Sequence, residues 1–156
     1  MATARFYHLT QDPLEGLLPV LIGKANEIGL NVALRGADPA RIEALDRMLW
    51  LGDGFLPHGI AGGPHDADQP CLLTCDATPA TALPNRPGCL VALDGAEVTP
   101  DEARGLERLC IVFDGLDEAA LTRARGQWRL LTAAGIEAEY WSRDSGRWAC
   151  KARHPK

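Results

Sequence analysis

Apolar positions in the first fifty residues change repeatedly between a strand period and a helix period. Thr3 to Leu9 is short, aromatic and partly alternating, as in a β-strand. Pro13 to Ile28 has apolar residues at helical spacing, and Leu30 to Leu34 is a second short apolar run. Another helical stripe runs from Ala40 to Leu49. This part of the chain is therefore predicted to have the order β-α-β-α.

Local signals support both helices. Asp12-Pro13 and Asp38-Pro39 each place an N-cap residue before a proline at the first helical position. Gly29 is predicted to end the first helix, and Pro19 is expected to kink it or delay its start.

The middle of the chain has turn-forming residues around short apolar runs. The segment from Gly52 to Pro70 is rich in Gly, Pro, Asp and His and is predicted to be a long surface loop. Cys71 to Cys75 and Cys89 to Leu93 are apolar runs bounded by turn formers. Such runs are typical of strands that are buried on both faces of a parallel sheet.

The last third of the chain continues the alternation. Thr99-Pro100-Asp101-Glu102 has the form of a capping box and predicts a short helix to Arg108. The remaining predicted elements are a strand at Leu109 to Phe113, a helix at Leu116 to Ala134 and a strand at Ile136 to Trp141. The whole pattern predicts a single α/β domain over residues 1–156, with a mostly parallel sheet and helices on both faces.

Composition narrows the class of protein. The 156 residues are 46% apolar and 24% charged, as in an ordinary globular domain. No apolar run approaches the ~18 residues that cross a bilayer, and the first residues lack the apolar stretch of a signal peptide. We therefore expect a cytoplasmic protein. Its five cysteines, an odd number at irregular spacing, are expected to be reduced thiols.

The net charge of −5 conceals an asymmetry. Residues 1–122 contain 8 Lys/Arg and 18 Asp/Glu, for a net −10, whereas residues 123–156 contain 8 and 3, for a net +5. A basic end on an acidic body suggests a local anion-binding surface and argues against contact with nucleic acid over the whole molecule.

Motifs for nucleotide binding or hydrolysis are missing from the sequence. Neither G-x-G-x-x-G nor the GK[ST] loop follows a predicted strand, so nucleotide binding is not expected. His58 to Gly63 resembles the glycine-rich oxyanion loops of esterases, but the chain has no G-x-S-x-G nucleophile elbow. Cys71, Cys75, His58 and His65 could surround zinc, although buried strand positions explain the two cysteines better. We expect no catalysis, cofactor or metal.

The last predicted helix carries the clearest candidate site. Arg125, Trp128 and Arg129 lie at positions i, i+3 and i+4, so both guanidinium groups and the indole share one patch. The patch borders an inward stripe of Leu121, Ala124, Trp128 and Leu131. A border aromatic beside two arginines suits a ligand that is both apolar and anionic, such as a peptide C-terminus ending in an apolar residue. The alternative is a solvated arginine pair beside a core tryptophan.

Two further aromatic groups have more than one interpretation. Trp50 ends the second helix and Phe55 follows in a loop, where they could cover the core or line a pocket. The C-terminal end interleaves aromatic and basic residues, namely Trp141, Arg143, Arg147, Trp148, Lys151, Arg153 and Lys156. This segment could stack on single-stranded nucleic acid or form a strand with an exposed basic face.

Several segments together resemble a known family. FYHL near the start, LW before FLPHGIAG, QPCLLT, CLVALDGAEVTP, and ARGQWRLLTAAG followed by EYW resemble, in this order, the chi subunit of bacterial DNA polymerase III. The resemblance covers nearly the whole chain. It implies a three-layer, Rossmann-like α/β fold that has no nucleotide-binding loop.

The resemblance also implies a role. A chi-like protein is expected to be a non-catalytic accessory subunit of the polymerase holoenzyme. It would link the clamp loader, through the psi subunit, to single-stranded DNA-binding protein by binding the acidic C-terminal tail of that protein. The residues that would form the tail pocket are Trp50, Phe55, Arg125, Trp128 and Arg129. The alternative function is direct binding of single-stranded nucleic acid by the basic C-terminal end.

The sequence departs from the family pattern at two positions of the last helix. Thr132 stands where family members often have a basic residue, and Gly126 stands where they often have a polar or charged one. Glycine within a helix costs up to ~1 kcal/mol relative to alanine. Both positions border the proposed patch.

Overall fold

The computed structural model of the chain describes residues 3–10, 14–52, 56–75, 78–143 and 146–155. Its helices are α1 (Leu14–Glu27), α2 (Pro39–Leu51), α3 (Pro100–Arg104) and α4 (Glu118–Ala133). Its strands are β1 (Ala4–Leu9), β2 (Val32–Arg35), β3 (Gly59–Ile60), β4 (Cys71–Thr74), β5 (Cys89–Ala92), β6 (Arg108–Asp114), β7 (Ala138–Ser142) and β8 (Ala149–His154).

The strands form one mostly parallel sheet. Their order is β3-β4-β2-β5-β6-β1-β7-β8. Every pairing is parallel except that between β7 and β8, which is antiparallel and lies at one edge. The first strand of the chain therefore lies inside the sheet, between β6 and β7.

Helices cover both faces of this sheet. On β1, Phe6 belongs to a core cluster that includes buried residues of α3 and α4, and it is 1% exposed. Its neighbour Tyr7 belongs to the cluster formed with α1 and α2. Since successive side chains of a strand point to opposite faces, α1 and α2 lie on one side and α3 and α4 on the other. This confirms the predicted α/β fold with three layers.

The central strands are apolar because both of their faces are covered. All four residues of β2, of β4 and of β5 are buried. Cys71 and Cys89 are 0% exposed, as the sequence predicted for strands inside a parallel sheet. The five cysteines all lie among the described residues and are free thiols.

Side-chain caps determine where the helices begin. Asp38 accepts a hydrogen bond from the Arg41 N–H at the start of α2, and Thr99 accepts one from the Glu102 N–H at the start of α3. Helix α1 begins at Leu14 and continues through Pro19, so the proline does not delay its start. The predicted cap at Asp12 and Pro13 lies outside the described residues.

Two predictions about regular structure are wrong in detail. The segment from Gly52 to Pro70 is not all loop, because Gly59–Ile60 forms β3 and pairs in parallel with β4. Helix α3 ends at Arg104 rather than Arg108. Arg108 already pairs with Cys89 in the sheet, and formation of this strand pairing ends the helix early.

A buried ion pair ties β2 to α3. Both Arg35 Nη atoms contact the Glu102 carboxylate, at 2.9 and 2.6 Å, and both side chains are about 5% exposed. The same guanidinium donates to the carbonyl oxygens of Glu97 and Thr78 at 2.9 and 3.1 Å. Glu102 therefore does not complete the predicted capping box, because its carboxylate faces Arg35 and the Ala80 N–H. This geometry, with two parallel hydrogen bonds, is the strong form of an arginine-carboxylate pair.

The pair has a defined pH dependence. Burial raises the pKa of Glu102, but hydrogen bonds from Arg35 and from the Ala80 N–H and the charge of Arg35 lower it by more, so the pKa lies below its usual value. A carboxyl with a lowered folded-state pKa contributes stability that is present above its unfolded pKa of about 4.3. That contribution is lost as pH falls through the folded-state pKa.

We predict that Glu102→Gln reduces the free energy of unfolding at pH 7 by about 3 kcal/mol or more, because Arg35 keeps a buried charge without an ionic partner. The variant should also lose the part of the acid destabilisation that Glu102 causes. Urea denaturation between about pH 3 and 7 measures both effects. Asp94→Asn is the matched control, because it breaks the more exposed Arg41–Asp94 pair and should cost less than about 1 kcal/mol. Equal losses in the two variants would contradict a special role for the buried pair.

Candidate functional site

A groove lies between α4 and the outer strands of the sheet. It encloses about 610 Å³. Its helical wall is formed by Leu121, Ala124, Arg125, Trp128 and Arg129, and its floor by Phe6, His8, Phe113 and Tyr140, with Ala152 of β8 at the far side. The groove therefore contains the whole helix patch that the sequence predicted.

The local sequence of α4 positions this patch. Asp117 caps the helix by accepting a hydrogen bond from the Ala119 N–H. Ala120, Ala124 and Leu131 are buried against the sheet, as expected for an inward stripe at helical spacing. Arg125 and Arg129 are exposed on the adjoining face.

The C-terminal end of α4 is closed by a glycine. Gly135 has a φ of +86°, and its N–H donates to the Thr132 carbonyl at 3.0 Å. The Ile136 N–H donates to the Leu131 carbonyl, also at 3.0 Å. These two bonds form a Schellman motif, which ends the helix and leads the chain into β7.

Trp128 lies at the border between core and groove, as predicted. It is partly buried and packs on the cluster that contains Phe6, with ring centroids 5.3 Å apart. The Thr132 hydroxyl donates to the Trp128 carbonyl at 2.8 Å. The polar group of Thr132 is therefore used within the helix.

The floor of the groove is aromatic. The His8 ring lies 5.3 Å from Phe113 and 5.7 Å from Tyr140, both edge-to-face. His8 Nδ1 and the Tyr140 hydroxyl also form a hydrogen bond. This floor offers flat apolar area together with two polar side chains that contact each other.

The two arginines supply positive charge at the helical wall. Among the described residues, neither Arg125 nor Arg129 forms an ion pair with an acidic side chain. Arg129 Nε donates only to the Arg125 carbonyl, at a long 3.4 Å. Planar guanidinium groups of this kind bind carboxylates through two parallel hydrogen bonds. The groove is thus suited to a ligand that combines an apolar side chain with a carboxylate.

Trp50 does not belong to this groove. It ends α2, whose buried residues Ile42, Leu45 and Leu49 pack in the cluster on the opposite face of the sheet. Its ring is 51% exposed and lies 4.1 Å from the ring of His58. The structure therefore separates Trp50 from the helix patch, and Phe55 lies outside the described residues.

The glycine-rich loop after α2 is occupied by its own contacts. The N–H groups of Gly62 and Gly63 donate to the Asp66 carboxylate at 2.8 and 3.0 Å, so they do not face an empty oxyanion position. His58 is buried, and its two ring nitrogens contact the Leu56 carbonyl and Asp46. No group of three or more His, Cys, Asp or Glu side chains is placed to hold a metal in the part of the chain that the structure describes.

A second cavity, of about 430 Å³, lies at the carboxyl ends of β5, β6 and β1. Doubly wound folds bind nucleotides in this kind of crevice. Here the crevice is lined by Asp94, Asp114 and Asp117, and Arg41 is paired with Asp94 at 2.9 Å. Three carboxylates disfavour a phosphate at this position.

Comparison with known families identifies the chain. A family model described as DNA polymerase III chi subunit, HolC, matches residues 1–139. The chain belongs to this family. Chi is an accessory subunit of DNA polymerase III in replication. No curated protein gives a significant match to the chain.

The match to chi includes α4 and the beginning of β7 but not the C-terminal residues. Arg125, Trp128 and Arg129 therefore lie within the family region, whereas Tyr140 and Ala152 of the groove lie beyond it. None of the described helices of this chi family member is both long enough and apolar enough to span a membrane.

Sequence reasoning missed the floor of the groove. Phe6 and His8 alternate along β1, and FYHL was among the segments that resemble chi, but nothing local shows that β1 lies beneath α4. Phe113 and Tyr140 come from β6 and β7, the two strands that pair with β1. Only the strand order reveals that these residues form one surface.

Gly126 offers a test of the helix that carries the patch. A Cβ built at this exposed position meets nothing within 4 Å. We therefore predict that Gly126→Ala raises the free energy of unfolding by about 0.5–1 kcal/mol, because alanine loses less backbone entropy in a helix. Chemical denaturation measures the change. In contrast, Gly135→Ala should destabilise the protein by about 1 kcal/mol or more, because its φ of +86° strains an L-residue. A loss of stability in Gly126→Ala would show that the helix does not tolerate a side chain there.

Proposed function

We propose that this chain is a non-catalytic, cytoplasmic accessory subunit that links the clamp loader of DNA polymerase III, through psi, to single-stranded DNA-binding protein. In this role it binds the acidic C-terminal tail of that protein. Residues 1–156 act as one domain that needs no cofactor. The observation that carries the proposal is the groove, in which Arg125 and Arg129 stand beside Trp128 above an aromatic floor. Membership of the chi family supports it.

The groove fits the two chemical features of such a tail. The terminal carboxylate is held by the guanidinium groups of Arg125 and Arg129, which have no acidic partner among the described residues. The terminal apolar side chain lies against Trp128 and the ring of Phe6, where it loses contact with water. Binding therefore requires both an apolar end and a free carboxylate.

Psi binds a different surface in this proposal. At the end of α2, on the opposite face of the sheet from α4, Trp50 and Leu51 are 51% and 85% exposed. Exposed large apolar side chains that lie side by side are typical of protein contacts. We assign this end of α2 to psi, so that one molecule can hold both partners at once.

The arginines provide the most direct test of the tail site. We predict that Arg125→Ala combined with Arg129→Ala weakens binding of a tail peptide more than about 100-fold, because hydrogen bonds to charged groups contribute about 1.5–3 kcal/mol each. The fold should persist, since both side chains are exposed. Isothermal titration calorimetry measures the affinity.

A matched control separates local from overall charge. Arg47→Ala combined with Arg123→Ala removes the same charge from exposed residues outside the groove and should leave tail affinity unchanged. Psi binding, measured by pull-down, should be normal in both double variants. Full tail binding by the Arg125/Arg129 variant, or equal losses in the two variants, would exclude this site.

The peptide itself provides a second prediction. Amidation of its C-terminus removes the charge that the arginines are proposed to bind, so the amidated peptide should bind about 1.5–3 kcal/mol more weakly than the free acid. Calorimetry with both peptides at the same salt concentration measures the difference. Equal affinities would show that the arginines contact some other part of the tail.

A further inference from the structure

Positive charge is concentrated at the C-terminal end of the chain. Residues 140–156 contain five Lys/Arg and one Asp, for a net +4. Residues 1–139, which the chi family model matches, contain 11 Lys/Arg and 20 Asp/Glu, for a net −9. The cationic segment therefore lies outside the family match and is a property of this chain.

The fold places this charge on one exposed edge. Strand β8 is the outermost strand of the sheet and pairs only with β7 among the described strands. Lys151 and Arg153 are exposed on β8, and Arg147 is exposed in the turn that precedes it. A strand of six residues is roughly 20 Å long, so the three cations are spread along an extended line.

Acidic groups near this edge do not neutralise it. Glu139 on β7 is the carboxylate that contacts it, at 3.6 Å from Arg153 and 3.4 Å from Arg5 of β1. One carboxylate is thus shared by two guanidinium groups. Arg143 adds a further charge, and its Nε donates to the uncharged Gly146 carbonyl at 3.0 Å. The edge keeps a positive potential on an acidic molecule.

The edge is poorly suited to pairing with another strand. Cationic side chains on an outer strand oppose the addition of a further strand, and a register shift between Tyr140 and Trp141 makes this edge irregular. A flexible polyanion needs no backbone pairing. The geometry therefore favours a chain of phosphates over an acidic β-strand.

The tryptophans of this segment are used inside the protein. Trp141 and Trp148 both pack against Tyr7, with ring centroids 6.4 and 5.5 Å apart. Both are partly buried, so base stacking is not their function here. Contact with nucleic acid would be made by charge and would not depend on base sequence.

We propose that the edge formed by Arg147, Lys151 and Arg153 binds the phosphate backbone of single-stranded DNA without base recognition. Three cations in a line can follow one flexible strand. Few charges give weak binding in isolation, but a tail contact next to the DNA would raise the local concentration of phosphate. This gain rests on the proposed function, whereas the DNA contact itself does not.

Fluorescence anisotropy with a labelled oligothymidylate of about 20 nucleotides tests the proposal on the full chain at about 50 mM salt. Lys151→Gln combined with Arg153→Gln should weaken binding by about tenfold or more and make the logarithmic salt slope shallower by about 1.4, since each phosphate contact on a single strand contributes about 0.7. The control, Lys24→Gln with Arg47→Gln, removes one exposed Lys and one exposed Arg elsewhere and should bind like the unmodified chain. Circular dichroism verifies that both variants are folded.

Three results would overturn the proposal. They are absence of binding by the unmodified chain, equal losses in the two double variants, and displacement of the DNA by polyglutamate at equal charge concentration, which would assign the edge to an acidic protein. A duplex of the same length that binds more tightly than the single strand would also overturn the choice of partner. Because no tail peptide is present, these results are independent of the calorimetric test of the groove.

Discussion

A parallel sheet must be covered on both faces, and this requirement shapes the molecule. Strands β2, β4 and β5 are completely buried, so apolar side chains face both ways and helices must pack on each side. Helices α1 and α2 cover one face and α3 and α4 the other. At the β8 edge the cover ends, as the exposed residues of β8 show. The groove forms where α4 leaves the outer strands open.

Charged residues inside the fold have structural tasks that exclude the usual chemistry of this architecture. Arg35 is almost fully buried and holds Glu102 together with two backbone carbonyls, which ties the loops above β2 to α3. The neighbouring crevice, where related architectures bind nucleotides, is lined by aspartates. A common fold thus carries a protein-binding role, because function depends on the site rather than on the architecture.

The cations that could bind ligands lie on two separate surfaces of an acidic body. Arg125 and Arg129 stand above aromatic rings, so they select a ligand with both charge and apolar area. The cations of β8 have no such rings available, because Trp141 and Trp148 pack on Tyr7. The two surfaces therefore differ in selectivity although both attract anions. The acidic remainder limits unspecific attraction of polyanions to the rest of the molecule.

The sequence by itself determined the order and type of the main elements, the burial of the central strands and the grouping of Arg125, Trp128 and Arg129. These features depend on residues within about four positions of one another, and caps and periodicity report such contacts directly. Tertiary structure alone decided that β1 lies between β6 and β7, which brings His8 to Tyr140 across 132 positions and gives the groove its floor. It also ended α3 at Arg104 and placed Trp50 on the opposite face of the sheet. Strand order depends on pairings between distant segments, and a local pattern contains no information about which strands will pair.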